Sequence, residues 1–202
     1  MKRKIIIDSE AGIDDAQAIM IALSQEVDVL AITCTCGNVT VDQVTKNVLK
    51  VLEACERTDI PLYQGAYRSL LVWLRPILTK FPGIAYEQPL YHGFDGLGDA
   101  TDITDPDTSL LQQPHAAQAL VQLVNENPGE IVIIALGPLT NIALASNFDA
   151  EFTKKVKEVA LCAADLHLQC LVKKKPHVQC YQWHSGWCLE MLDLRDGKEL
   201  AS

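Results

Sequence analysis

The sequence predicts an α/β fold, a doubly wound, mainly parallel sheet with helices on both faces. Three observations carry that prediction. Short runs of aliphatic and β-branched residues alternate with longer amphipathic stretches along most of the chain. The short runs are apolar nearly throughout, as strands covered on both sides are, rather than at every second position. Strand-like and helix-like segments follow one another at the spacing of β-α-β units, which is the pattern of a parallel sheet.

In order, "KIIID" reads as the first strand and "DDAQAIMIALSQ" as a helix with Ala16, Ile19, Met20 and Leu23 on one face. "VDVLAITCTC" is a second strand. "TVDQVTKNVLKVLEACE" is a helix capped by Thr40, with Val44, Val48, Leu49 and Leu52 directed inward. "IPLYQG" is a third strand, "HAAQALVQLVNE" a helix, "EIVIIAL" a fourth strand, "NIALAS" a short helix and "VKEVALCA" a fifth strand. Between Ala66 and Pro114 no clear period appears, and so long a connection in a compact domain carries function or holds further helices. There is no internal repeat.

Composition bounds the class. With 202 residues, 49% hydrophobic and 21% charged, the chain can bury a core and is not a disordered segment. "MKRK" precedes only three isoleucines before Asp8, too short an apolar run for a signal-peptide core or a membrane span. Seven cysteines, an odd number without small-secreted-domain spacing, fit reduced thiols. The expectation is a soluble cytoplasmic protein, with the nucleus left open and no membrane partner. A net charge of −9 excludes a general nucleic-acid binder and suits small or cationic ligands.

The charge is uneven. Residues 1–161 hold 12 Lys+Arg against 21 Asp+Glu, whereas residues 162–202 hold five of each. That last stretch also contains four of the seven cysteines, three of the five histidines and two of the three tryptophans. The expected organisation is therefore an α/β core over 1–161 and a divergent tail over 162–202. In the tail, Cys170, Cys180, His184 and Cys188 lack the paired knuckles of zinc sites, and the cysteines read as buried or incidental thiols.

The most loaded segment is "IIIDSEAGIDD", which places Asp8, Glu10, Asp14 and Asp15 at the end of the first strand, in its loop and at the following helix start. In open α/β sheets, ligands bind at the carboxyl ends of the strands, so these acids sit at the ligand end. Interaction with the helix dipole is worth roughly 0.3–1 kcal/mol per acid and accounts for one or two of them. Four carboxylates in one turn-sized volume repel unless protons or a cation intervene. The residues alone leave two readings open: solvated capping acids, or a hard-oxygen site for Ca²⁺ or Mg²⁺. A dinucleotide loop is excluded because Gly12 stands alone, and an aspartyl-phosphate hydrolase would want Asp where Glu10 stands.

"DSEAGIDDA" resembles the signature of the inosine-uridine-preferring nucleoside hydrolases, Asp-x-Asp-Pro-Gly-x-Asp-Asp-Ala. "LAITCTCGNVTVDQVTKNVLKVLE", "IPLYQGA", "HGFDGLGD" and "ALGPLTNIALA" resemble further segments of that family, in its order, from residue 4 to about 161. The resemblance implies a nucleoside hydrolase-like fold and hydrolysis of the N-glycosidic bond of ribonucleosides of the inosine and uridine type by a calcium-bound water. It implies Ca²⁺ held by Asp8, Asp15 and the backbone carbonyl of Leu136, with Glu10, Asp14 and Asn38 in catalysis. Asp14 and Asn38 would also bind ribose hydroxyls, and His92 would lie over the substrate. The implied partner is a small-molecule nucleoside, and a homo-oligomer is left open.

Two departures accompany the likeness. Glu10 stands where the family has Asp, and Ala11 where it has Pro. After "KEVALCA", relatives continue with a Met-Gly-Gly turn, an Asn- and Glu-rich ribose-binding segment and a C-terminal portion with a further metal-binding Asp and a His. None of these can be matched in residues 162–202, which reads as a truncated or divergent member. The alternative function is a catalytically impaired relative or isoform that keeps metal or nucleoside binding.

Overall fold

The computed structural model describes residues 2–68, 70, 91–99, 104–163 and 178–182. Seven parallel strands form one sheet: β1 (Arg3–Ser9), β2 (Val27–Cys34), β3 (Leu62–Gln64), β4 (Leu111–Gln112), β5 (Ile131–Ala135), β6 (Glu158–Ala163) and β7 (Val178–Gln182). Their order across the sheet is β4-β3-β2-β1-β5-β6-β7. The helices are α1 (Ile13–Ser24), α2 (Val41–Ala54), α3 (Ala116–Glu126), α4 (Thr140–Phe148) and the single turn α5 (Phe152–Lys155). Among the described residues no helix is long and apolar enough to cross a membrane.

The central strand shows why the apolar runs are continuous. Side chains alternate between faces of a strand. Ile5 and Ile7 of β1 enter a core with Ile19 of α1 and Val44, Val48 and Leu52 of α2, while Ile6 enters a second core with Leu120 of α3, Ile133 of β5 and Phe152. Helices cover both faces, so neither set of positions can be polar. The five strands read from the sequence are all present. The two others are a two-residue strand too short to show a pattern, and β7, which pairs with β6.

Helix α2 begins as expected, the Thr40 hydroxyl accepting the N–H of Gln43 at 3.4 Å. The inward face assigned to α1 needs one correction. Ala16 and Ile19 are buried, but Met20 is 42% exposed, because the buried stripe runs Asp15, Ala18, Ile19, Ala22. That is a helical i, i+3, i+4, i+7 row, which turns Met20 outward. Part of the 66–114 connection is described: it holds a closed loop at 91–99, a 3₁₀ turn at Thr108–Leu110 and β4. Most of the 162–202 tail, including Cys170, His184 and Cys188, lies outside the described residues.

Candidate functional site

From β1 the chain winds outward through β2, β3 and β4, then returns to place β5 on the other side of β1. The carboxyl ends of β1 and β5 therefore frame a topological switch point, where open α/β sheets form their ligand crevice. Asp8 ends β1 there, and Leu136 follows β5 there. The two are tied directly, the N–H of Leu136 donating to the carbonyl of Asp8 at 2.8 Å.

The Asp8 side chain is fully buried. Its Oδ1 accepts from the Thr33 hydroxyl of β2 at 2.5 Å and from Nδ2 of Asn141 in α4 at 2.8 Å. Its Oδ2 is buried with no hydrogen-bond partner. Burial raises the carboxyl from 3.8 to about 6, against the lowering effect of those two donors.

Asp15, in the first turn of α1, is buried as well, and its Oδ2 accepts from the Ser9 hydroxyl at 2.8 Å and the Glu10 N–H at 2.9 Å. Ser9 Oγ in turn accepts the Ala11 N–H at 2.9 Å, so one hydroxyl braces the whole loop. Burial, then the negative charge of Asp14, raises Asp15 to about 7. Glu10 is raised to about 8, again by burial first and then by Asp15, although its carboxylate accepts the Asn38 N–H. The acids thus do more than cap: Asp8 and Asp15 are buried, Glu10 is partly buried, and burial makes all three resist ionisation.

Glycines let the loops close around them. A Cβ on Gly37 would fall 1.6 Å from Glu10 Oε2, and one on Gly137 would lie 3.0 Å from the Glu10 Cβ. Glu10 is therefore clasped between the β2 loop and the residue after Leu136. A Cβ on Gly12 would lie 2.6 Å from Asn38 Nδ2, 2.7 Å from Asp14 Oδ1 and 3.2 Å from His92 Cε1. Asn38, Asp14 and His92 consequently ring the same glycine, from three loops far apart in sequence. His92 Nδ1 accepts the N–H of Ile13 at 3.2 Å, capping α1 where Gly12 has no side chain to do so, and its Nε2 lies 3.8 Å from Asp14 Oδ1. Asp8, Glu10, Asp14, Asp15, Asn38, His92 and Leu136 all lie at this one end of the sheet.

Several residues that hold the site were not singled out by sequence reasoning. Asn141 binds Asp8 and the Cys34 carbonyl through Nδ2, and its Oδ1 accepts the Ala66 N–H at 2.9 Å. It links β1, β2 and the segment after β3 by one amide. The signal was present, a polar residue opening a helix just after a strand end, but Thr33 and Ser9 look like ordinary strand residues.

The donor set fits a hard divalent cation in chemistry. An orphaned buried carboxylate oxygen costs free energy that a cation would recover, and carboxylates raised by burial ionise readily once a positive charge is beside them. Among the described residues there is no cluster of three or more His, Cys, Asp or Glu side chains disposed to hold a metal. Asp8 and Asp15 would supply two carboxylates, leaving other oxygens to come from backbone carbonyls, water or a bound substrate.

Comparison with known proteins identifies the family. Residues 5–172 match the family described as inosine-uridine preferring nucleoside hydrolase, a match that continues past Leu161. The chain is 40% identical over 161 residues to a probable uridine nucleosidase of Arabidopsis thaliana, covering 79% of this chain and 47% of that protein. It is 34% identical over 169 residues to a pyrimidine-specific ribonucleoside hydrolase of Salmonella arizonae, covering 83% and 50%. Among solved structures, a plant nucleoside hydrolase superposes with a TM-score of 0.65 at 42% identity over 80% of this chain and 48% of that one. An inosine-guanosine nucleoside hydrolase superposes with a TM-score of 0.71 at 29% identity over 91% and 62%. The chain spans about half the length of the curated relatives it matches. With the family model matched over residues 5–172 and solved relatives sharing the same fold, the chain belongs to the inosine-uridine preferring nucleoside hydrolase family.

Proposed function

We propose that this chain carries the metal- and ribose-binding residues of a ribonucleoside hydrolase site, which cleaves the N-glycosidic bond to ribose and free base. The observation that carries the reading is the convergence of Asp8, Glu10, Asp14 and Asp15 with Asn38 and His92 at one crevice. Asp8 and Asp15 would hold a calcium ion, together with the Leu136 carbonyl, and when bound the ion would polarise a water and help offset the crowded negative charge. Glu10, raised to about 8 in the ion-free chain and clasped between Gly37 and Gly137, is the base that takes a proton from the attacking water at its carboxylate. As the C1′–N bond breaks, its electron pair leaves with the base, which takes a proton from solvent; the deprotonated water oxygen bonds to C1′, and the Asp14 carboxylate stabilises the positive charge that develops on the ribose. Asp14 and Asn38 hold ribose hydroxyls beside Gly12, a position where no side chain blocks approach. His92 closes the crevice over the sugar and base.

Uridine is the substrate to try first, since similar proteins are named uridine nucleosidase and pyrimidine-specific ribonucleoside hydrolase. The test is release of free base from uridine and inosine by the purified chain at millimolar Ca²⁺, with Asp14→Ala as the control. Base release that Asp14→Ala abolishes supports the reading. Calorimetric binding of uridine without base release favours the alternative of a binding protein, and neither binding nor release sinks both.

A further inference from the structure

Asn47 is the one amide among the buried residues of α2, which otherwise include Val44, Val48 and Val51, and its side chain is fully buried. Such a group is costly to bury unless its donors and acceptor are used. They are. Oδ1 accepts from Gln43 Nε2 at 2.9 Å, and Nδ2 donates to the carbonyl of Asp95 at 2.7 Å and to that of Ala11 at 3.4 Å. Those carbonyls belong to the loop that carries His92 and to the loop that carries Glu10 and leads into Asp14 and Asp15 at the start of α1.

The His92 loop is a closed unit. The N–H of Gly98 donates to the His92 carbonyl at 2.7 Å, Asp95 Oδ1 accepts the N–H groups of Leu97 and Asp99, and Asp99 Oδ1 accepts that of Asp95. The loop is seated on Asn47 at Gly96, whose φ is +85° and where a Cβ would lie 3.0 Å from Asn47 Nδ2. At its other end, His92 Nδ1 accepts the N–H of Ile13, which leaves the imidazole proton on Nε2, the nitrogen 3.8 Å from Asp14.

We propose that Asn47 is a positioning residue: by bridging the carbonyls of Ala11 and Asp95, it seats the His92 loop on the acidic loop and thereby sets the ring orientation and tautomer of His92 over Asp14. Its importance for turnover rests on the nucleoside hydrolase reading above, but the seating itself does not.

The experiment is nuclear magnetic resonance on the ¹⁵N-labelled full chain, with Asn47→Leu, which keeps the side chain's branching and removes every polar contact. In the unmodified chain the imidazole nitrogens of His92 should report a single tautomer protonated at Nε2. In Asn47→Leu they should report an averaged mixture, and the amides of Leu97, Gly98 and Asp99 should exchange roughly tenfold faster, the factor expected for losing a net hydrogen bond, while the amides of β1 and β5 keep their protection. Gly96→Ala, which pushes the loop off Asn47 from the other side without touching the core helix, should reproduce the mixture and covers the case in which Asn47→Leu does not fold. A single unchanged tautomer in either folded variant would overturn the proposal, because a residue that only stabilises the fold would leave His92 as it was. No metal or nucleoside is needed, so a chain that fails to release base while showing these changes refutes the functional reading and leaves the positioning role standing.

Discussion

Replacing Asp8 by Asn should stabilise the ion-free protein, the reverse of what removing a hydrogen-bonded buried acid ordinarily does. The substitution is isosteric, so Oδ1 can keep the hydroxyl of Thr33 and the amide of Asn141, while an amide nitrogen takes the place of the unpartnered Oδ2. Burial lifts the Asp8 carboxyl from 3.8 to about 6, so the folded state holds its proton more tightly than the unfolded chain does. The stability this confers is fully present below pH 4 and is lost as pH rises through 6. At 1.36 kcal/mol per pH unit, the ionised form above pH 6 is penalised by about 3 kcal/mol. Asn carries no charge and escapes this, but its buried, unpaired N–H₂ gives back roughly 1 kcal/mol. The net gain of about 2 kcal/mol corresponds to roughly 4–8 °C in Tm for a chain of this size. Thermal melts at pH 8 in EDTA should show it, and the gap should shrink as pH falls toward 4. Saturating Ca²⁺ should raise the Tm of the unmodified chain and leave Asp8→Asn nearly unchanged, since a ligand stabilises only the state that binds it. A variant that melts below the parent at pH 8 in EDTA, or a gap that is the same at pH 5 and pH 8, would refute the argument.

Two further outcomes are expected. Ala11→Pro restores the family's residue yet should destabilise by about 3 kcal/mol or more, because Ala11 has φ +49° where proline is held near −65°, and because its N–H bonds Ser9 Oγ; Ala11→Gly at the same left-handed position should instead be neutral or raise the unfolding free energy by up to about 1 kcal/mol, and urea titration of both variants checks the pair. Asn141→Leu should cost about 3–5 kcal/mol, since it leaves Asp8, the Cys34 carbonyl and the Ala66 N–H each short of a buried partner, and a denaturation midpoint within error of the parent would show that water replaces the amide.

The sheet was legible because its strands are covered on both faces and so carry an unbroken hydrophobic signal. β5 shows it in full and β1 through its three isoleucines, while β2, β3 and β6 show it over most of their apolar runs. A strand of two residues such as β4 has no period to detect, and β7 sits in a stretch whose composition resembles nothing before it. Met20 was turned the wrong way because an apolar residue beside a buried stripe looks the same in sequence as one within it. The acids were legible through crowding, which has few structural explanations. Their partners were not: Thr33 faces Asp8 only because β2 pairs with β1 in one register, and Asn141 reaches Asp8 only because β5 crosses back to the centre of the sheet. Contacts made by topology leave no local trace.

The bond between Asn141 and Asp8 closes a separation of 133 residues, and it orders assembly in time. β1, α1, β2 and α2 are contiguous and can associate early, with Asp8 and Asp15 still hydrated and ionised. Docking of β5 beside β1 brings Asn141 to Asp8 and completes its burial, so the penalty for its charge falls on a non-local contact, the kind that forms late. Closure of the sheet is thus coupled to uptake of a proton or a cation. Refolding is therefore expected to be slower in alkaline, metal-free solution than at pH 5 or with Ca²⁺, a difference that stopped-flow refolding would read.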